Sequence, residues 1–250
     1  MDYDTTKMPA AYDAGRSYPA AVLAFWLEVI SRWIPKDTVS DIVDIGCGTG
    51  RYSAALANHF DARVIALDPS EKMLAEARKK KSEKVRYEQA SGETLPLADA
   101  SMDLAFMSMV FHHFTRPDRV AHECHRVLRP NGAICMRAGT IERIGSYAYV
   151  PFFPASQTML SKSLTSQARI ESIFAAAGFR LIAHELVPSQ AAESWNAYAK
   201  KLAHRADSFL SQLPDREFED GLAAVRKHAA ARPSHEPVIE PVDFFVFRPT

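Results

Sequence analysis

The 250-residue sequence has no excess of charge of either sign, which limits the partners it can bind. Lysine plus arginine and aspartate plus glutamate both number 30, so the formal net charge is +0. Binding along a phosphate backbone needs a dense basic patch. The one basic run, at residues 79–81, is typical of a solvated helix end instead. We therefore expect no nucleic-acid partner.

Cysteine is scarce, and long apolar runs are missing. The three cysteines form no C-x-x-C pair and no even set for disulfides, which fits a reducing, cytoplasmic location. Residues 1–15 are polar and lack the apolar core of a secretory signal. Residues 20–30 are the most apolar early stretch, but Glu28 interrupts them, and a bilayer span needs about 20 residues. We expect no membrane association.

Glycine is also infrequent, with 10 residues, yet three of them alternate at positions 46, 48 and 50. They follow an apolar, β-rich run and precede a predicted helix. Alternating glycines let the backbone turn tightly with positive φ and let N–H groups approach a ligand without a Cβ in the way. The dinucleotide fingerprint G-x-G-x-x-G would need a glycine where Arg51 stands. The spacing thus predicts a ligand-binding loop and disfavours an NAD-dependent oxidoreductase.

Strand-like and helix-like patterns alternate along the chain. Predicted strands cover residues 62–67, 85–90, 101–106, 133–138, 179–187 and 242–248, the last closing the sheet. Predicted helices cover residues 19–33, 50–60, 71–81, 117–128, 167–177, 191–213 and 215–230, with Ser70 and Ser166 as N-caps. The alternation predicts an α/β fold with a doubly wound parallel sheet and a ligand at the carboxyl ends of its strands.

The length and a hydrophobic content of 47% suit one domain over residues 1–250. Within it, residues 1–35 are expected to form an N-terminal cap segment and helix. Residues 140–165 interrupt the alternation, and we expect a loop with short helices there that covers a substrate. Residues 190–232 are expected to add helices to this cover.

Five short segments carry a more specific pattern than the glycine loop alone. They are residues 44–50 (DIGCGTG), 68–70 (DPS), 93–97 (ETLPL), 111–114 (FHHF) and 126–132 (RVLRPNG). In this order and spacing they resemble the class I S-adenosylmethionine (SAM) methyltransferases, in the branch that includes the trans-aconitate and ubiquinone-biosynthesis methyltransferases. The resemblance covers roughly residues 40–140. It implies a mostly parallel, seven-stranded, Rossmann-like sheet with helices on both faces, SAM as cofactor and S-adenosylhomocysteine (SAH) as product.

The resemblance assigns the glycine loop to the methionine part of SAM. The backbone at Gly46, Gly48 and Gly50 would meet the amino and carboxylate groups of the cofactor. Asp44 would steady the loop or reach the amino group through water. Cys47 is small and is expected to be passive.

The ribose and adenine parts are assigned to the next two segments. Asp68, followed by Pro69, would accept the ribose hydroxyls as a carboxylate. Ser91, Gly92 and Glu93 would meet the adenine. Many family members have an aspartate where Ser91 stands, so the hydrogen bond expected here carries no charge.

Two further groups are expected near the reacting end of the cofactor. Met107 and Ser108, at the end of a strand, would lie under the sulfonium. Tyr12, Arg16 and Tyr18 match, more weakly, a segment that closes over the ligand in this branch. Arg16 suits a carboxylate, either of SAM or of an acid substrate. The alternative for this segment is a disordered terminus.

His112 is the candidate catalytic residue, because it matches the position that faces the methyl acceptor in this branch. A histidine titrates near neutral pH and can take a proton. The alternative is a histidine that only satisfies backbone groups, and this is the expectation for His113. His122 and His125 share a helix face, but no further ligands stand nearby in sequence, so we predict no metal.

The resemblance implies methyl transfer to a small-molecule acceptor. An oxygen of a carboxylate or hydroxyl is favoured, and nitrogen or carbon remains an alternative. The aromatic residues at 147–153 and Trp195 are candidate walls of the acceptor pocket, although core packing explains Trp195 equally. A protein that binds SAM or SAH without transferring a methyl group is the other alternative. Whether the chain forms a homodimer is left open.

Overall fold

Strands and helices alternate along the chain in this computed structural model, which describes residue 15 and residues 19–250. The strands are β1 (Asp41–Ile45), β2 (Arg63–Asp68), β3 (Val85–Gln89), β4 (Met102–Ser108), β5 (Leu128–Ala138), β6 (Phe179–Ala192) and β7 (Val238–Pro249). The α-helices are α1 (Ala20–Ser31), α2 (Ser53–Phe60), α3 (Glu71–Arg78), α4 (Pro117–Val127), α5 (Pro154–Ser163), α6 (Gln167–Ala176), α7 (Trp195–Ala203) and α8 (Asp215–Ala230). Short 3-10 helices lie at Lys36–Thr38, Phe111–His113, Ile141–Ser146, Val150–Phe152 and Leu210–Gln212.

The seven strands form one sheet in the order β3-β2-β1-β4-β5-β7-β6. Strands β1 to β5 are parallel, whereas β7 runs antiparallel to both β5 and β6. The predicted doubly wound, mostly parallel sheet is confirmed. The last strand, β7, lies between β5 and β6, so β6 forms one edge of the sheet. The chain builds outwards from β1 in one direction and from β4 in the other, so the carboxyl ends of these two strands form the switch point where open α/β sheets bind ligands.

Two hydrophobic clusters bury the central strands. Trp26 and Ile30 of α1 belong to one cluster together with Phe106 of β4. Met107, the next residue of β4, belongs to the other cluster together with Phe174 of α6. Successive side chains of a strand point to opposite faces, so β4 is apolar and buried on both faces over residues 104–107. The central strands can therefore hold the loops at their carboxyl ends in fixed positions.

Serine side chains begin two helices as the sequence predicts. The Oγ atoms of Ser70 and Ser166 accept hydrogen bonds at 3.2 Å from the N–H groups of Met73 and Arg169. Each bond satisfies one N–H group that a helix start leaves without an intrahelical partner. The start of α3 immediately after β2 fixes the position of Asp68, the predicted ribose acceptor.

Several predicted boundaries differ from the structure, among them the start of β7, which lies at Val238 instead of residue 242. β5 begins at Leu128, five residues before the predicted start, because an irregularity in its pairing with β4 takes up the Asn-Gly pair. Residues 191–213 are not one helix. β6 continues to Ala192, Ser194 then caps α7 by accepting from the N–H of Ala197 at 3.1 Å, and Arg205 takes a φ of 50°, which a helix does not allow.

The cover is built from residues distant in sequence. Between β5 and α6 lie two 3-10 helices and α5, as expected for residues 140–165. Phe153 and Leu160 from this segment form a third hydrophobic cluster with Leu202 of α7 and Phe218 of α8. The short elements thus share a core with the longer helices. In the part of the chain described here, no helix is long and apolar enough to cross a membrane.

Candidate active site

The glycine loop after β1 is a tight turn held against β2. Gly46, Gly48 and Gly50 have φ angles of 70°, 56° and 70°. The N–H groups of Gly46 and Cys47 donate to the carbonyl oxygen of Leu67 at 2.8 and 2.9 Å. Side chains other than that of glycine are strained at such φ values. The turn itself therefore requires the alternating glycines.

Gly48 differs from the other two glycines in what surrounds it. A Cβ on Gly46 would lie 2.3 Å from Val110, and one on Gly50 would lie 2.7 Å from the hydroxyl of Tyr87. A Cβ on Gly48 would meet nothing within 4 Å. The backbone at Gly48 thus faces open space, as a loop that receives a ligand must.

Asp68, the predicted ribose acceptor, also holds the glycine loop in place. Its Oδ2 accepts from the N–H of Gly48 at 2.8 Å, and its Oδ1 accepts from the N–H of Ser70 at 2.9 Å. The side chain is buried at the end of β2, next to Pro69. A carboxylate oxygen can accept more than one hydrogen bond, so these two bonds are compatible with the predicted role as ribose acceptor.

Asp44 is buried beneath the loop, with 2% of its surface exposed. Ser53 at the start of α2 donates to its Oδ2 at 2.7 Å. Burial raises the pKa of Asp44 to about 7, and although the Ser53 bond lowers it, the nearby charge of Asp68 raises it further. Burial also raises the pKa of the Cys47 thiol well above its usual range, which keeps that residue protonated and unreactive.

In the predicted adenine segment, residues 91–93, the side chains form hydrogen bonds that stabilise the local turn. Ser91 donates to the carboxylate of Glu93, whose Oε1 also accepts from the N–H groups of Thr115 and Arg116 at 3.0 and 3.3 Å. A Cβ on Gly92 would lie 2.9 Å from the ring of Phe114. Glu93 thus fixes this turn to the segment that follows β4. These three residues do not line the cavity that the glycine loop shares with the cover.

That cavity lies between the glycine loop, the end of β4 and the cover. Its lining includes Asp44, Gly46, Cys47 and Gly48 from the loop region, Ser108, Met109 and His112 after β4, and Tyr147, Tyr149, Tyr198, Lys201, Phe209 and Glu240 from the cover and β7. The structure therefore brings the methionine side of the predicted cofactor site and the candidate base His112 into one space.

Of the two residues predicted under the sulfonium, Ser108 lines the cavity and Met107 does not. The side chain of Met107 is fully buried in the core. Met109 lines the cavity instead, with a φ of 55° that re-aims the chain after β4. Arg137, which is 1% exposed and lies 3.9 Å over the ring of Trp26, donates to the Oγ of Ser108 at 2.7 Å. Strand alternation explains why Met107 and Ser108 differ, since neighbours point to opposite faces, and the positive φ explains why Met109 lines the cavity although Met107 does not.

The histidines separate by position. His112 lies in the 3-10 turn after β4 and lines the cavity, with its ring 5.5 Å from that of Phe209. His113 packs against it at 4.0 Å but does not line the cavity. His125 packs edge-on against Phe179 at 5.4 Å, which gives it a structural role. Within the described ranges, no group of three or more potential ligands is placed to hold a metal ion.

The cover contributes a polar wall that sequence reasoning did not predict. Tyr198 donates to Oε1 of Glu240 at 2.7 Å, and the N–H of Ala148 donates to the same oxygen at 3.0 Å. Burial and the charge of Glu240 raise the pKa of Tyr198 well above its ordinary value. Glu240 lies in β7, far from any motif, and no pattern in the sequence distinguishes it. Trp195 packs on His228 at 4.4 Å and does not line the cavity.

Tyr12, Arg16 and Tyr18 lie outside the described residues. Gly15, between them, is described and lines the cavity. A Cβ on Gly15 would lie 2.6 Å from the Cβ of Ala206. The chain at residue 15 is therefore in close contact with the segment that follows α7.

Two basic residues hold the loops of the site, and sequence reasoning missed both. Lys80, in the run predicted to be solvated, donates to the carbonyl oxygen of Thr49 in the glycine loop at 2.7 Å. Arg126 donates to the carbonyl oxygens of Leu95 and Leu97 at 3.0 and 2.7 Å. Arg126 is the first residue of the fifth motif, but the motif does not indicate that its side chain holds the loop at residues 95–97.

Comparison with known proteins identifies the family of this chain. The family model described as "Methyltransferase domain" matches residues 43–136, from the glycine loop to β5. The chain is 31% identical over 177 residues to the ubiquinone/menaquinone biosynthesis C-methyltransferase of Rubrivivax gelatinosus, a match covering 63% of this chain and 69% of that protein. The chain belongs to the class I SAM-dependent methyltransferases. SAM is therefore its cofactor.

Two further likenesses extend the comparison. The methyltransferase is 41% identical over 96 residues to the malonyl-[acyl-carrier protein] O-methyltransferase of Methylococcus capsulatus, covering 37% of this chain and 35% of that protein. It thus spans about a third of that relative. A solved structure from Anabaena variabilis, described as a methyltransferase of an antibiotic biosynthesis pathway, superposes with a TM-score of 0.75 at 22% identity, covering 94% of this chain and 99% of that one. This likeness concerns the fold, and it extends well beyond residues 43–136.

Proposed function

We propose that the enzyme transfers the methyl group of SAM to an oxygen atom of a small molecule, either a carboxylate or a hydroxyl. The supporting observation is the shared cavity, because the glycine loop and His112 line the same space together with tyrosines of the cover. A cofactor on the loop and an acceptor against His112 would meet there. The balanced net charge of +0 favours a small acceptor over nucleic acid.

The residues on the loop side suit SAM. The open space above Gly48 is available to the methionine part, and the buried carboxylate of Asp44 suits its ammonium group. Asp68 would accept the ribose hydroxyls while it continues to hold the loop. The turn at Ser91 and Gly92 would meet the adenine.

When bound, SAM supplies a methyl carbon that is already electrophilic because it is attached to a sulfonium. The protein then has to align the acceptor and exclude water, and the cover, whose residues line the cavity, would do both. A hydroxyl acceptor must also lose its proton, and His112 would take it. A carboxylate acceptor needs no deprotonation, and His112 would hold it by a hydrogen bond.

Transfer of labelled methyl from SAM to a panel of carboxylic acids and hydroxyl compounds tests this proposal. We expect His112→Ala to lower the transfer rate by about 10²–10⁴, the usual range for loss of a general base. His113→Ala is the matched control, since His113 is adjacent but does not line the cavity, and it should stay near wild type. Equal rates in wild type and His112→Ala would show that His112 is structural.

Carbon is the second candidate acceptor, because the relative from Rubrivivax gelatinosus is a C-methyltransferase. The two are distinguished by the product, since a methyl ester is cleaved by mild alkali and a C-methyl group is not. If SAM binds but no acceptor in a broad metabolite extract is methylated, the chain is a SAM-binding protein and the transfer proposal fails.

A further inference from the structure

The phenol of Tyr147 lies where a side chain on Gly139 would otherwise stand. Gly139 is the first residue after β5, and a Cβ on it would lie 1.9 Å from the hydroxyl oxygen of Tyr147 and 3.7 Å from Cε of Met109. Tyr147 also lines the cavity, as does Met109. The chain therefore leaves β5 and returns so that this hydroxyl sits over the strand end.

This position is on the acceptor side of the site. The glycine loop follows β1, and Asp68 ends β2, so a cofactor held by both extends from β2 over β1 towards β4. β4 lies between β1 and β5, and it pairs with β5 so that Ser108 is opposite Arg137. Gly139 lies two residues beyond that pair. A methyl acceptor that meets the reacting end of the cofactor must come from the β4 and β5 side, where Tyr147 lies.

Tyr147 is held rigidly enough to orient a ligand. Its ring stacks on that of Tyr149 with centroids 5.6 Å apart and planes 29° apart. Its carbonyl oxygen accepts from the N–H of Val150 at 3.1 Å, and the N–H of the next residue, Ala148, donates to Glu240 at 3.0 Å. A phenol hydroxyl both donates and accepts hydrogen bonds, so it can serve a neutral or a charged oxygen.

We propose that Tyr147 is an acceptor-binding residue, whose hydroxyl donates a hydrogen bond to the acceptor oxygen and turns it towards the methyl group. This inference rests on the proposed function. It places the hydroxyl close to the sulfonium of bound SAM, which carries a positive charge, whereas SAH has a neutral thioether at the same place. The charged groups that line the cavity (Asp44, Arg51, Lys201, Asp207 and Glu240) and the titratable His112 are the same in both complexes, so their effects on the ionisation of Tyr147 cancel in the comparison.

The test compares the ionisation of Tyr147 in the two complexes and needs no acceptor. The enzyme is labelled with ¹³C at the tyrosine Cζ, saturated with SAM or with SAH, and titrated with base while NMR spectra are recorded. The Tyr147→Phe variant identifies the signal. We expect the phenol to ionise about one pH unit lower with SAM than with SAH, because a nearby cation favours the phenolate. The signal of Tyr149, identified by Tyr149→Phe, should show a smaller difference.

Gly139→Ala supplies a second variant that leaves Tyr147 itself intact. The added methyl would displace the hydroxyl, so the difference between the complexes should shrink. In the Tyr147→Phe background the nearest ring atom is Cζ at 3.3 Å, so the same alanine should be tolerated. Identical ionisation of Tyr147 in the SAM and SAH complexes would overturn the inference. Failure of SAM to bind would instead overturn the proposed function.

Discussion

Asp44 keeps its proton at pH values where an ordinary aspartate has lost it. Burial disfavours its charged form, so its pKa is about 7 in the folded enzyme against 3.8 for an aspartate in water. Between these two values the folded state binds more protons at this group than the unfolded state. The free energy of unfolding must therefore fall as the pH rises through this window.

We predict that Asp44 lowers the free energy of unfolding of the ligand-free enzyme by up to about 1.4 kcal/mol per pH unit across that window. Asp44→Asn keeps the shape of the side chain but does not titrate, so its pH profile should lack this contribution. Urea denaturation of both proteins at a series of pH values measures it. Parallel profiles would show that Asp44 is ionised in the folded enzyme.

At the residue scale, the sequence predicts those site residues whose place depends on a backbone conformation or on the order of the motifs. The positions of Gly46 and Gly50 in the turn follow from their spacing, because few other residues tolerate such φ values. Met107 and Met109 could not be distinguished, since the change depends on the positive φ at Met109. Glu240 could not be found either, because it reaches the cavity only through the pairing of β7 between β5 and β6.

At the scale of elements, α8 carries a glycine whose role depends on its packing. Gly221 lies within this helix, where alanine is ordinarily about 1 kcal/mol more favourable than glycine. A Cβ here would lie 2.4 Å from the ring of Phe153 and 2.8 Å from the carbonyl oxygen of Phe152. The close approach of α8 to the 3-10 segment of the cover therefore requires glycine.

We predict that Gly221→Ala lowers the free energy of unfolding by about 1–3 kcal/mol, the usual range for overpacking, despite the better helix propensity of alanine. Because Gly221 is in the cover, the variant should slow methyl transfer before it weakens SAH binding. Thermal unfolding checks the stability, and the methyl transfer rate compared with SAH titration checks the order of the two functional effects. An unfolding temperature above that of the wild type would contradict the packing interpretation.

Helix starts were predictable where a side chain determines them, as at Ser70 and Ser166. The segment 191–213 was not, because its apolar residues suit a helix while Ser194 and Arg205 divide it. The signal at Ser194 was present as a capping residue. The sequence contains no signal for the break at Arg205, because a positive φ at an arginine follows from tertiary packing and not from local preference.

At the scale of the whole molecule, the sheet order explains why the glycine loop and His112 line one cavity. β1 lies between β2 and β4, so the carboxyl ends of these three strands are neighbours. Asp68 ends β2, the glycine loop follows β1, and His112 follows β4, so residues far apart in sequence lie at one edge of the sheet. The five sequence motifs predicted that the glycine loop, Asp68 and His112 belong to one site. The cover was predictable only as an interruption of the pattern, because its core joins segments that are distant along the chain.

Calorimetric titration of SAH into the wild type, Asp68→Ala and His112→Ala tests most directly whether the site has a cofactor side and an acceptor side. Asp68→Ala removes the predicted ribose acceptor and the support of Gly48, so the binding free energy should weaken by about 1.5–3 kcal/mol. His112→Ala should leave it near the wild-type value. Unchanged affinity in Asp68→Ala, or loss of binding in His112→Ala, would contradict this division of the site.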